Sequence, residues 1–227
     1  MIDKTVRNVA EALAGVQDGA VVLIGGFGSV GEPVALIEGL IEQGARDLTL
    51  VGIHAGIGAD PVARLVGLGR VRRVIVSWTR SSSAESAFGP LFRAGGIELE
   101  LVPQGTLAER IRAAGAGVPA FFTATAAGTM LAAGKEVREI GGREYVLEQA
   151  IHADLALIEA WEGDRWGNLT YRRAGRNLNP VMATAAEMTV AQVQHLRTLG
   201  EIDPDHVVTP GIFVQRVLHL PYGDPPF

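Results

Sequence analysis

The sequence has no cysteine among its 227 residues. This excludes a disulfide framework, a thiolate nucleophile and a cysteine-ligated metal, although it is compatible with any compartment. Zinc could still be held by histidine, but no two of the five histidines fall at H-x-x-x-H or H-x-H spacing; they are His54, His152, His195, His206 and His219. The sequence therefore predicts no bound metal.

An excess of positive charge and a long apolar run are also lacking. The formal net charge is -5, with no basic stripe, so neither nucleic acid nor an anionic membrane is expected as a partner. No apolar run approaches the ~20 residues of a membrane span, and charged residues stand near the start where a signal peptide needs apolar ones. These absences predict a cytoplasmic protein.

Glycine, by contrast, is abundant: 29 residues, nearly double the roughly 7% of an ordinary chain. In the first half of the chain, short apolar runs alternate with helix-forming stretches, and the runs begin at residues 20, 48, 73 and 97. A repeat of this length is typical of βαβ units. It predicts an α/β fold with an open, mostly parallel sheet and helices on both faces.

Beyond residue 118 the pattern changes to short apolar or alternating stretches. Residues 137–148 indicate a hairpin that turns at Gly141-Gly142, and further strands are predicted at 155–160 and 212–218. We expect this half to complete the same sheet and to add short antiparallel strands. Because no linker divides the chain, we expect one domain over residues 1–227, with 218–227 as a tail.

A ligand site is expected at the carboxyl ends of the parallel strands, where loops converge and helix N-termini face the crevice. The four loops that follow the first apolar runs span 25–32, 53–60, 77–84 and 102–105. These loops supply hydrogen-bond donors, a cation and apolar surface. The residues that carry them are Phe27, Ser29, His54, Trp78, Arg80 and Gln104. Such a mixture suits a small anionic or carbonyl-bearing ligand.

The first of these loops has the G-x-G-x-x-G spacing of a dinucleotide site, at Gly26, Gly28 and Gly31. A dinucleotide site also needs an acidic residue at the end of the second strand, where this chain has Ile53-His54. A Walker-type loop needs Lys and Ser or Thr after the last glycine, whereas Glu32 follows here and would repel a phosphate. The residues thus argue against a nucleotide.

The stretch DGAVVLIGGFGSVGEP, at 18–33, resembles the signature of the family I coenzyme A transferases, in which an apolar strand leads into G-G-F-x-x-x-G-x-P. Every fixed position of that pattern is filled. The resemblance covers nearly the whole chain, through 100–123, 134–137, 153–172, 176–180 and 205–214. It implies the fold of that family and the alpha (A) subunit of the 3-oxoacid CoA-transferase type.

The resemblance also implies a ping-pong transfer of CoA from an acyl-CoA to a free carboxylic acid, through a glutamyl-CoA thioester. Coenzyme A is then a substrate, and no cofactor is bound permanently. In the family the nucleophilic glutamate lies in the beta (B) subunit within a Ser-Glu-Asn-Gly type motif, which this sequence lacks. The resemblance therefore implies that the catalytic nucleophile comes from a partner beta subunit, in an α2β2 assembly.

Two motifs of the family map onto candidate site residues. Its G-G-F loop lies at the subunit junction, and the glutamine of its P-Q-G motif positions the substrate. With the loops chosen from the sheet pattern, the predicted substrate-binding residues are Gly25, Gly26, Phe27, Gly28, Gly31, His54, Arg80 and Gln104. The turn-forming residues of RNLNP, at 176–180, are expected to have structural or interface roles.

Two departures from the family pattern bear on the substrate. The acetoacetate and succinate enzymes carry Asn-Asn where this chain has Ile53-His54, and the loop beginning at Ser77-Trp78 also differs. These changes argue against succinate and acetoacetate as the acids exchanged. They leave open a CoA-thioester or ring-opening hydrolase on the same scaffold. A non-enzymatic small-molecule sensor is a third alternative, although the chain has no basic helix-turn-helix segment.

Overall fold

The computed structural model describes residues 2–79 and 86–221. Its strands are β1 (Thr5–Val6), β2 (Val21–Ile24), β3 (Leu48–His54), β4 (Val71–Trp78), β5 (Glu98–Leu101), β6 (Ala120–Thr123), β7 (Val137–Ile140), β8 (Arg143–Gln149), β9 (Ala153–Asp164), β10 (Leu169–Thr170), β11 (Ala186–Arg197) and β12 (Arg216–His219). Its α-helices are α1 (Val9–Ala12), α2 (Val34–Gln43), α3 (Pro61–Gly67), α4 (Phe88–Arg93), α5 (Gln104–Gly115) and α6 (Asn179–Ala183).

Most strands belong to one sheet with the order β1-β12-β11-β9-β2-β3-β4-β5. Every neighbouring pair in that order is parallel, and only the short β10 pairs antiparallel, with β9. A second sheet, β6-β8-β7, is antiparallel and contains the hairpin predicted at Gly141-Gly142. The predicted mostly parallel α/β fold with antiparallel additions is therefore confirmed.

Helices cover both faces of the large sheet because side chains alternate along each buried strand. On β2, Val22 and Ile24 join the apolar cluster under α1 to α4, whereas Leu23 joins the cluster under α5 and α6. Leu36 of α2 and Leu107 of α5 are fully buried on opposite faces. Each such leucine contributes about 1.5–3 kcal/mol of burial free energy.

The helices begin and end at residues that suit those positions. Asp60 caps α3, since its carboxylate accepts the backbone N–H of Ala63 at 2.6 Å. Gly44 ends α2 with φ at 94°, a conformation that glycine adopts at little cost. Because β2, β3 and β4 are parallel, their carboxyl ends lie at one edge of the sheet, which is where the sequence predicted a ligand site.

The carboxyl-terminal strand lies later in the chain than the strand predicted at 212–218: Gly211–Phe213 form a 3-10 turn, and β12 begins at Arg216 and ends at His219. β12 pairs with β11 as far as His219, and Leu218 is almost fully buried. Residues 218 and 219, assigned to the tail from the sequence, thus belong to the sheet, because their backbone groups complete its parallel ladder. Among the described residues, no helix combines the length and the apolar character that crossing a membrane requires.

Candidate active site

The candidate site lies where the strand order changes direction. In the sheet, β3, β4 and β5 lie beyond β2 on one side. On the other side, β11, β12 and β1 lie beyond β9. The chain leaves β2 for α2 on one face, and reaches α6 after β9 on the opposite face. A crevice opens between two strands whose connections diverge in this way, and open α/β sheets bind ligands there.

The glycine-rich loop between β2 and α2 forms one wall of this crevice. Gly26 has φ at 113°, and a side chain there would place its Cβ 3.0 Å from the Cα of Glu32, so the loop folds back closely on itself. A tight turn follows, in which the backbones of Phe27 and Val30 exchange hydrogen bonds of 3.0 and 3.3 Å. That turn leaves the side chains of Phe27 and Val30 about half exposed.

Two asparagines from the segment RNLNP hold this loop in place. The side chain of Asn177 accepts the Gly26 N–H and donates to the Val30 carbonyl, each at 3.1 Å. The fully buried Asn179 donates to the Gly31 carbonyl at 3.0 Å and accepts the N–H of Glu159, on β9, at 3.2 Å. These asparagines therefore fix the loop to the opposite side of the crevice, a structural role of the kind the sequence predicted for this segment.

His54, at the end of β3, connects two of the loops. Its Nδ1 accepts the N–H of Gly56 at 3.1 Å, and its ring is hydrogen bonded to the backbone of Gly28. The ring lies 5.3 Å from that of Trp78, at the end of β4. Burial lowers the pKa of His54, although Asp60 and the Gly28 bond oppose this effect. His54 is thus a neutral ring at neutral pH that links the loops after β2 and β3.

Glu32 is a buried acid. From the sequence it was noted only as a charge that would repel a bound phosphate. Its side chain is 3% exposed, and Oε1 has no hydrogen-bond partner. Burial, together with the carboxylates of Asp60 and Glu159, raises the pKa of Glu32 to about 8. The side chain is thus a neutral carboxylic acid at pH 7, beside a cavity of about 10 Å³ that His54 also lines.

Glu32, His54 and Asp60 form a cluster whose nitrogen and oxygen atoms lie within 4.8 Å of one another. Such a set can hold a cation, and histidine spacing along the sequence gave no sign of it because the set contains one histidine and its two acids come from different loops. Here, however, His54 Nδ1 and both Asp60 oxygens already accept backbone N–H groups. Their bonding is explained without an ion, and we assign the cluster no metal.

A larger cavity, of about 410 Å³, lies on the other side of the glycine-rich loop. Its lining includes Val30, Gly31, Ala160, Trp161, Tyr171 and Arg172. The guanidinium carbon of Arg172 lies 4.6 Å from the centre of the Trp161 ring, and His195 packs edge-on against the same ring at 4.5 Å. We call this cavity the Trp161–Arg172 crevice. Sequence reasoning missed it, since its walls are about 130 residues apart along the chain.

The predicted site residues do not all meet. The structure brings Gly25, Gly26, Gly28 and His54 together, and it places Phe27 and Gly31 in the same loop. Gln104 is exposed at the first turn of α5, after β5, and two strands separate β5 from β2. Arg80 lies outside the described residues. A ligand that touched both Gln104 and the glycine-rich loop would have to extend across those strands.

Comparison with known proteins identifies the family. The family model for coenzyme A transferase matches residues 6–220. The chain belongs to the coenzyme A transferase family. The resemblance found in the sequence is thereby confirmed, and the family is one of transferases that use coenzyme A.

Individual relatives agree with this assignment. The A subunit of the 3-oxoadipate CoA-transferase of Pseudomonas putida is 56% identical over 218 residues, which cover 96% of this chain and 94% of that protein. The A subunit of a probable succinyl-CoA:3-ketoacid coenzyme A transferase of Mycobacterium bovis is 44% identical, over 97% of this chain and 95% of its own length. Both relatives are named as subunits, so a partner chain belongs to this type of coenzyme A transferase.

A solved structure shares the fold. Glutaconate coenzyme A-transferase from Acidaminococcus fermentans aligns with a TM-score of 0.86 and 23% identity, over 96% of this chain and 76% of that one. At this identity the likeness concerns the fold alone. It supports the arrangement of parallel strands that places the glycine-rich loop at the crevice.

Proposed function

We propose that this chain is the alpha subunit of a heteromeric CoA transferase, active with a beta subunit, that moves CoA onto a 3-oxo dicarboxylic acid. The observation that carries the proposal is the 56% identity to the Pseudomonas putida protein named for 3-oxoadipate, which extends over 96% of this chain. The absence of a Ser-Glu-Asn-Gly type motif from the sequence supports a nucleophile on the partner. An α2β2 assembly and a cytoplasmic location belong to the same proposal.

The proposed chemistry divides a difficult exchange into acyl-transfer steps. A carboxylate oxygen of the partner's glutamate attacks the thioester carbon of the acyl-CoA. The C–S bond breaks, the CoA thiolate departs, and the glutamate and the acyl group are then joined as a mixed anhydride. The thiolate then attacks the glutamyl carbonyl carbon, and the C–O bond that breaks releases the donor acid. The acceptor carboxylate repeats the two steps in reverse order and leaves as its CoA thioester.

This chain's part in those steps is to bind and orient the acid. Each attack places negative charge on a carbonyl oxygen, and neutral donors stabilise that charge without transferring a proton. The exposed amide of Gln104 is such a donor, and the neutral His54 keeps the glycine-rich loop next to the loop after β3. Ile53 and His54 stand where family members that use acetoacetate or succinate carry two asparagines, and this difference supports another acid as the substrate.

The proposal is tested by reconstitution with a beta subunit that carries the Ser-Glu-Asn-Gly type motif. We expect the chain alone to be inactive and the pair to form 3-oxoadipyl-CoA from 3-oxoadipate and a panel of acyl-CoA donors. After incubation with an acyl-CoA, borohydride should inactivate the pair, because it reduces the glutamyl-CoA thioester on the partner to an alcohol and releases the CoA thiol. Turnover by this chain without a partner would contradict the proposal, and release of free CoA at the same rate without any acceptor acid would favour the hydrolase instead.

Replacing Gln104 by Ala should lower kcat of the reconstituted pair while leaving the chain folded. A hydrogen bond to a charged group contributes about 1.5–3 kcal/mol, which corresponds to about a tenfold to hundredfold loss of rate. Glu109→Gln, on the same helix, is the control, because Glu109 pairs with Arg112 on an outer face. Steady-state kinetics check the prediction. Equal values of kcat for Gln104→Ala and the control would show that Gln104 does not act on the substrate.

A further inference from the structure

The Trp161–Arg172 crevice has the size and position of a ligand site that the proposed reaction has not yet used. Its volume of about 410 Å³ falls within the range of small-molecule pockets. It opens beyond the carboxyl end of β2, beside residues 159–161 of β9, where the strand order reverses. Gly31 and Val30 of the glycine-rich loop form one of its walls. A molecule bound at that loop can therefore extend into the crevice.

The walls of the crevice are mainly apolar. Its apolar lining includes Val30, Ala160, Trp161 and Tyr171. The Tyr171 hydroxyl is directed away to a hydrogen bond of 2.8 Å with Thr209, so the ring is the part of Tyr171 available to a ligand. Apolar surface of this kind favours the methylene chain of a short acid, because burying it removes hydrocarbon from water.

The polar part of the crevice is cationic. The guanidinium of Arg172 stacks on Trp161 at 4.6 Å, which restricts its orientation. Arg173 follows, exposed and with φ at 48°. The acidic residue of the lining, Glu159, accepts a hydrogen bond of 3.0 Å from Gln192. Two guanidinium groups beside one carboxylate leave net positive charge, and a planar guanidinium matches a carboxylate in geometry.

We propose that the Trp161–Arg172 crevice binds the distal carboxylate and the methylene chain of a dicarboxylic acid, while its other carboxylate exchanges CoA at the glycine-rich loop. This inference rests on the proposed function and states its substrate preference: the site selects diacids over monoacids of equal length. Arg172 is the residue that recognises the distal carboxylate, and Trp161 positions it. A phosphate of coenzyme A shares the anionic chemistry, and the experiment separates the two.

Calorimetric titration of the reconstituted pair with adipate, a diacid that lacks the 3-oxo group, tests the inference. Adipate should bind at least tenfold more tightly than hexanoate. Arg172→Met should weaken adipate binding about tenfold or more, and Arg172→Lys should restore part of it. Arg176→Gln is the matched control, since Arg176 belongs to the same 3-10 turn, Arg173–Arg176, but does not line the crevice. It should bind adipate like the unsubstituted pair.

Kinetics then assign the anion. In the Arg172→Met pair, KM for 3-oxoadipate should rise about tenfold, with KM for the acyl-CoA within twofold of its original value. A rise confined to KM for the acyl-CoA would identify a CoA phosphate in the crevice and overturn the inference. Equal affinities for adipate and hexanoate in the unsubstituted pair would overturn it as well. A pair that binds adipate through Arg172 but transfers no CoA would refute the proposed function and leave the crevice assignment standing.

Discussion

Gly31→Ala is expected to lower the free energy of unfolding by about 2–5 kcal/mol, because two costs add. Gly31 has φ at 67°, where an L-residue is strained by about 1–2 kcal/mol. The new Cβ would also overlap the backbone carbonyl oxygen of Gly175 and lie 2.6 Å from Nδ2 of Asn177. Backbone atoms cannot rotate away, so such overpacking costs about 1–3 kcal/mol more. Urea unfolding of the purified chain measures the change.

Gly28→Ala separates the two costs. Gly28 also has a positive φ, at 58°, but a Cβ there would meet no atom within 4 Å. Only the backbone strain applies, and we expect a loss of about 1 kcal/mol. If both variants lowered the free energy of unfolding equally, the close approach of the loop to the turn at Gly175 would contribute nothing to the effect of Gly31→Ala. A larger loss for Gly31→Ala indicates that this contact holds the wall shared by the loop and the Trp161–Arg172 crevice.

The first half of the fold was predictable because its strands are short apolar runs separated by clear helices. β11 was not predicted, although it is a central strand of 12 residues. Its sequence interrupts the apolar pattern with Thr189 on one face of the strand and with Gln192 and Gln194 on the other, so periodicity predicts no continuous apolar face. In the structure these three are at most 3% exposed. Their burial depends on partners elsewhere, such as Glu159, which accepts from Gln192.

The candidate site was predictable only where its residues follow strands. The glycine-rich loop and His54 were found in this way, because the carboxyl ends of parallel strands meet at one edge. Asn179 and Arg172 were missed as members of the site, since each meets the loop across about 140 to 150 residues of chain. No spacing rule connects such positions. The assignment of all eight residues to substrate binding stays a prediction, for the glycine-rich loop and His54 as much as for Arg80 and Gln104.

Glu32→Gln is expected to stabilise the chain by about 2–4 kcal/mol at pH 8 and by less than about 1 kcal/mol at pH 5. The folded chain holds the Glu32 proton up to a pKa of about 8, whereas the unfolded chain releases it near the ordinary value of 4.5. Between those values the folded state binds more protons, so its stability falls as pH rises and levels off above about pH 8. Glutamine is neutral throughout and does not lose this stability.

Urea unfolding of the purified chain at pH 5, 6, 7 and 8 measures the trend, and Glu42→Gln is the control. Glu42 is an exposed acid on α2, the helix that follows Glu32, so its replacement should change stability by about 0.5 kcal/mol or less at every pH. A Glu32→Gln variant less stable than the original at pH 8 would mean that the carboxylate is ionised in the fold and held by a partner. If the stability gained by Glu32→Gln grows from pH 5 to pH 8, the chain keeps a destabilising acid beside His54. A residue that lowers stability next to a ligand crevice is typical of residues retained for function.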